Sequence, residues 1–132
     1  MEISSLFFIT TAYHAFSKNA YVYSTVFLFL LYTSLCWHLS DKKEFVMNHL
    51  YWLDQLALLL VFLVGLWYVL YSSILIQLLA VLSISIVLFL FYGGQLLNRY
   101  CYDPDKETAI FYHCFMHIIG ALGHHCIMYG LP

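Results

Sequence analysis

Charge is what this chain has least of. Only 9% of its 132 residues are Asp, Glu, Lys or Arg, against roughly a quarter in a soluble domain. The charges are also confined, because Glu2, Lys18, Asp41 to Glu44 and Arg99 to Glu107 hold all of them except Asp54. With a net charge of −2 and no basic patch, nothing is present to neutralise phosphates, which excludes a nucleic-acid partner. A cysteine framework is missing as well. Cys36, Cys101, Cys114 and Cys126 form no CxxC pair and no disulfide-scaffold spacing, and three of them lie in apolar segments, where a small buried residue is the plain reading. The stretch 3–16 lacks the marks of a cleaved signal. Glu2 stands where a positive n-region belongs and no small-x-small site follows, so the stretch reads as a short first helix.

What is present is apolar length: 64% of the residues are hydrophobic. Crossing a hydrocarbon core takes about 20 apolar residues. Ala20 to His38, Leu50 to Tyr71, Ser72 to Gly94 and Thr108 to Met128 each supply such a run. Lipid offers no water to satisfy free amides, so these runs should be helices. The last begins well, with Asp103 expected at the N-cap, Pro104 at the first helical position and acids in the first turn. The expected fold is all-α: one polytopic transmembrane bundle over residues 1–132, with four full spans plus a short N-terminal helix. Alternation puts Lys42, Lys43, Arg99 and Lys106 on one side and Lys18 on the other, so the positive-inside rule places the first side in the cytoplasm.

Five polar residues gather on that cytoplasmic side. Ser34 and His38 are four apart at the end of one span, Asp54 lies just inside the next, and His113 and His117 are four apart early in the last. Two histidines at i and i+4 can bind one metal, and a third from a facing helix leaves the fourth tetrahedral position for water, as in catalytic zinc sites. Asp54 could then accept a proton, and Ser34 could hydrogen-bond a developing oxyanion. Singly, each residue has a plainer reading: Ser34 as a helix-packing residue, Asp54 as a helix cap or partner of His49, His38 as an interfacial histidine. An ionisable residue within lipid nonetheless marks a functional site by default. His124 follows His117 by seven residues, about 10 Å deeper, and reads best as a packed, hydrogen-bonded histidine. His125 points elsewhere, and His14 and His49 have no visible partner. The tyrosines and tryptophans fit interfacial belts.

With Ser34-x3-His38 on one helix, Asp54 on the next and His113-x3-His117 on the last, the chain resembles the CREST superfamily of seven-helix membrane hydrolases. That group includes alkaline ceramidases and adiponectin-type receptors. Ala20 to Tyr23 and Asp41 look most like the myomaker and post-GPI-attachment phospholipase branch. The likeness covers mainly residues 18–60 and 107–120. It implies that His38, His113 and His117 are zinc ligands and that Ser34 and Asp54 form the polar pair of the site. It also implies hydrolysis of a lipid amide or ester, with a membrane lipid as substrate. The chain departs from the family by two helices. Removing two preserves the direction of the last, so the motifs still meet on one side, while the missing wall leaves room for an open site or a homo-oligomer. Two other readings stand beside this one. A noncatalytic membrane-remodelling or assembly protein would use a structural zinc or no metal. A b-type haem protein would use His38 and a histidine of the last helix as axial ligands, with Gly120 and Gly123 beside the porphyrin.

Overall fold

The computed structural model describes the backbone of residues 2–39 and 44–131 and the side chains of 4–39 and 49–131. Asp41, Lys42 and Lys43, which carry much of the expected orientation, lie outside the described residues.

The apolar runs become helices. α1 (Glu2–Ser5) passes into α2 (Phe7–Ser17) through Leu6, which keeps helical angles of φ −64 and ψ −20. Asn19, at φ 58, reverses the chain into α3 (Tyr21–Leu39); a short polar side chain makes asparagine the ordinary residue for that left-handed conformation. α4 (Glu44–Leu70) starts well before the apolar run at Leu50, so Asp54 sits inside the helix rather than capping it. At the far end Ser72 Oγ donates to Tyr68 O, and Gln77 Nε2 donates to Val69 O at 3.3 Å and Ser72 O at 3.2 Å, so side chains satisfy carbonyls that the helix end orphans. α5 (Ile74–Leu88) runs through a π-helical turn at Phe89–Gly93 into α6 (Gly94–Leu97), ended by Asn98 at φ 51. A Cβ on Gly94 would lie 2.7 Å from Arg99 O, so the chain can double back there only over glycine. A 3-10 turn (Tyr100–Tyr102) leads to α7 (Lys106–Tyr129).

The start of α7 differs from expectation. The N-cap is Asp105, not Asp103: its carboxylate accepts from Thr108 N at 3.0 Å, while Asp103 Oδ1 accepts from Asp105 N at 2.9 Å and closes the preceding turn. Two aspartates two residues apart compete for the cap, and the one that reaches the third helical amide takes it.

The chain is a helical membrane protein. Three segments, Tyr21–Leu39, His49–Leu70 and Ile74–Leu97, are long and apolar enough to cross a membrane among the described residues. α7 has the length, at 24 residues, but it carries His113, His117, His124, His125, Gly120 and Gly123. Those residues keep it out of that set, so the fourth full span expected from sequence is not one of the three.

Around the bundle α4 packs on α3, α3 on α2, α2 on α7 and α7 on α5, with α5 turning back to α4. The core lies where α2, α3, α4 and α7 face inward, through Phe8, Ala12, Tyr23, Phe27, Leu30, Ala57, Val61, Ile127 and Met128. α5 buries no residue fully and turns Leu75, Leu78, Val81 and Leu82 outward, a surface suited to lipid. Its contact with α7 is close because Gly123 is small: a Cβ there would stand 2.6 Å from Ser83 Cβ. Small residues of this kind let membrane helices approach. Gly123→Ala should therefore lower thermal stability in detergent, by about 1–3 kcal/mol as for other overpacked contacts, and Ser83→Gly in the same chain should recover part of it.

The cap gives a second expectation. Hydrogen bonds from Thr108 hold the Asp105 carboxyl below the usual carboxylate range. A lowered folded-state pKa stabilises the first turn above the unfolded value and loses that contribution as pH falls through the folded one. Protection of that turn's amides, with the intrinsic exchange rate divided out, should fall as acid protonates Asp105, and Asp105→Asn should remove that fall.

Candidate functional site

The last turns of α3 present Ser34 and His38, one turn apart, to the space that α7 enters with His113 and His117, also one turn apart. The rings meet there. His38 and His113 have centroids 5.3 Å apart and nearly perpendicular, His113 and His117 are 4.6 Å apart, and His38 and His117 are 6.5 Å apart. His117 is buried and His113 half-buried. His117 Nδ1 lies 2.9 Å from Ser4 Oγ. Among the described residues the only buried side-chain nitrogen or oxygen without a hydrogen-bond partner is His113 Nε2.

The arrangement can be tested against a metal. Three imidazoles on a tetrahedral zinc at about 2.1 Å would hold their ring centroids about 5 Å apart. Two of the pairs stand at that separation, and the His38–His117 pair is more open. Accordingly no group of three His, Cys, Asp or Glu is closed to metal-holding geometry among the described residues. The donor set fits zinc in kind, and an orphaned buried imidazole nitrogen belongs to it.

Ser34 and Asp54 are each engaged by a neighbouring hydroxyl. Ser34 Oγ lies 2.9 Å from Ser5 Oγ, and Thr33 Oγ1 donates to Asp54 Oδ1 at 3.2 Å. Asp54 is thus fixed to the helix position next to Ser34. A groove of about 320 Å3, lined by Val22, Leu63, Val64, Trp67 and Tyr68, lies between α3 and α4 toward the opposite membrane face.

Ser4, Ser5 and Thr33 were not among the residues expected at the site. Their only signal in the sequence is the presence of hydroxyls within apolar stretches, because Ser4 meets His117 across 113 positions of chain. The remaining α7 histidines are engaged further along the helix. His124 Nδ1 is hydrogen-bonded to Tyr23 Oη, its ring stands edge-on to Phe27, and Gly65 leaves it room. At the far end His125 Nδ1 lies 2.8 Å from His14 Nδ1 and its Nε2 lies 3.1 Å from Thr10 Oγ1, so His14 has a partner that the sequence did not reveal. The four cysteines are free and half-buried. Gly120 and Gly123 face Val87 and Ser83 of α5, so α5 fills the room that a porphyrin would need beside them.

Fold and cluster together define a helical membrane protein with a buried histidine centre. No known protein family, no curated protein and no solved structure matches the chain.

Tyr23→Phe should cost about 1–3 kcal/mol, because it strands His124 Nδ1 in the bundle interior. Thermal unfolding in detergent checks this, with the exposed Tyr13→Phe leaving the midpoint unchanged.

Proposed function

We propose that this chain is a zinc-dependent intramembrane hydrolase of a lipid amide or ester, a shortened relative of the CREST hydrolases whose motif order it resembles. The observation that carries the reading is the convergence of His38, His113 and His117 from two helices around the partnerless His113 Nε2. A buried nitrogen without a partner costs free energy that a bound ligand would recover. In this reading α7 is the fourth span, the histidine end faces the cytoplasm, and the substrate is a membrane lipid such as a ceramide or phospholipid. Lipids would reach the site sideways.

When bound, zinc supplies Lewis-acid polarisation of a carbonyl and an activated water. His38, His113 and His117 would hold it. Ser34 would donate a hydrogen bond to the substrate's carbonyl oxygen as negative charge builds there, keeping its proton and exchanging Ser5 for substrate. Asp54 would take the proton released by the attacking water and return it to the leaving group, which requires exchanging its bond from Thr33. That Ser34 and Asp54 are each engaged by a neighbouring hydroxyl favours a second reading, a noncatalytic membrane-remodelling or assembly protein with a structural zinc. Nothing favours haem.

Metal analysis of the purified full chain decides first. About one zinc per chain is expected, lost in His113→Ala and His117→Ala. A wild-type chain without zinc ends the hydrolase reading. With zinc present, Asp54→Asn should keep the metal and lose roughly 10²- to 10⁴-fold in turnover of ceramide or phospholipid. Zinc without turnover on any such lipid supports the structural role.

A further inference from the structure

Two hydroxyls reach the centre from outside the helices that carry its histidines. α1 packs on both α3 and α7, and its last residues, Ser4 and Ser5, are 3% and 0% exposed. Ser5 Oγ stands 2.9 Å from Ser34 Oγ, which pins α1 to α3; Ser4 Oγ stands 2.9 Å from His117 Nδ1. The first turn of the chain is therefore fixed across the centre at two adjacent points.

A neutral imidazole carries one proton, and only its unprotonated nitrogen can bind a metal. If Nδ1 holds the proton and donates it to a neighbour, Nε2 is left with its lone pair and the ring is held in orientation. The Ser4 hydroxyl can accept that hydrogen bond, since each hydroxyl has two lone pairs as well as one proton. The reverse arrangement, with Ser4 donating to Nδ1, would put the proton on Nε2 and disable His117 as a ligand.

We propose that Ser4 is a positioning residue of the metal centre, accepting from His117 Nδ1–H so that His117 Nε2, on the far side of the ring, is the ligating nitrogen. The assignment rests on the zinc reading above. It gives α1 a role that the three-motif pattern does not contain: α1 supplies an orienting contact to the last helix.

The test uses the full chain in detergent. Zinc affinity is measured by chelator competition for wild type, Ser4→Ala and Ser4→Thr, and the tautomer of His117 is read by NMR of chain labelled with 15N-histidine. Ser4→Ala should weaken zinc by about 10- to 100-fold, the usual cost of losing such an orienting partner, while Ser4→Thr, which keeps the hydroxyl, restores most of the affinity. Metal-free wild type should show His117 protonated on Nδ1. Equal zinc affinity in wild type and Ser4→Ala overturns the assignment while leaving the zinc reading intact, and so does His117 protonated on Nε2. The NMR reading decides even where Ser4→Thr fails to fold. A wild-type chain that binds no zinc overturns both, and leaves the Ser4 contact as helix packing.

Discussion

Everything in this bundle answers to the hydrogen-bonding demand of one helix. α7 carries His113, His117, His124 and His125 through a stretch that is otherwise apolar. Taking a polar group out of water without a partner costs about 1–3 kcal/mol, and lipid cannot supply the partner. Each histidine must therefore be met by another helix, and three are met by different ones. Ser4 of α1 reaches His117, Tyr23 of α3 reaches His124, and Thr10 and His14 of α2 reach His125. The N-terminal helices lie beside α7 because their hydroxyls and their one imidazole are its hydrogen-bond complement. Apolar contact alone would not fix that arrangement, since lipid tails compete equally well for leucine.

The demand is met unevenly, and the unevenness is informative. At the His14 end both nitrogens of His125 are engaged, and Lys18 Nζ donates to Leu131 O at 3.2 Å to tie α2 to the end of the chain. In the middle His124 is enclosed by Tyr23, Phe27 and Gly65. At the Ser34 end three imidazoles crowd one another, and one nitrogen has nothing to bind. Identical chemistry along one helix thus gives hydrogen-bonded histidines at two levels and, at the third, a cluster in which His113 Nε2 is left over. Burial, helix direction and the i, i+4 spacing of His113 and His117 combine only there.

The outer helices make few such demands. α4 and α5 turn Leu56, Leu59, Leu63, Leu75 and Leu82 outward and close the ring through small contacts, with Gly123 letting Ser83 approach α7. α1, although only four residues long, stands across the histidine centre through Ser4 and Ser5. The centre is therefore built mainly by α1, α3 and α7.

The sequence by itself determined that the chain is helical and membrane-embedded, because apolar length and the scarcity of charge permit nothing else. It also determined that Ser34 with His38, and His113 with His117, share faces, because that follows from 3.6 residues per turn. The meeting of those two faces was legible as an expectation from span parity, and the rings do converge. Three things were not legible. The cap at Asp105 rather than Asp103 turned on which carboxylate reaches Thr108 N, a matter of a few ångströms of backbone path. The engagement of Asp54 with Thr33 depended on the rotation of α4 against α3, which an apolar helix with little amphipathic bias does not encode in its pattern. The partners Ser4, Tyr23 and His14 lie more than 100 positions from the histidines they meet. Hydroxyls and imidazoles have no period in a sequence; only the packed bundle decides which of them stand within hydrogen-bond reach.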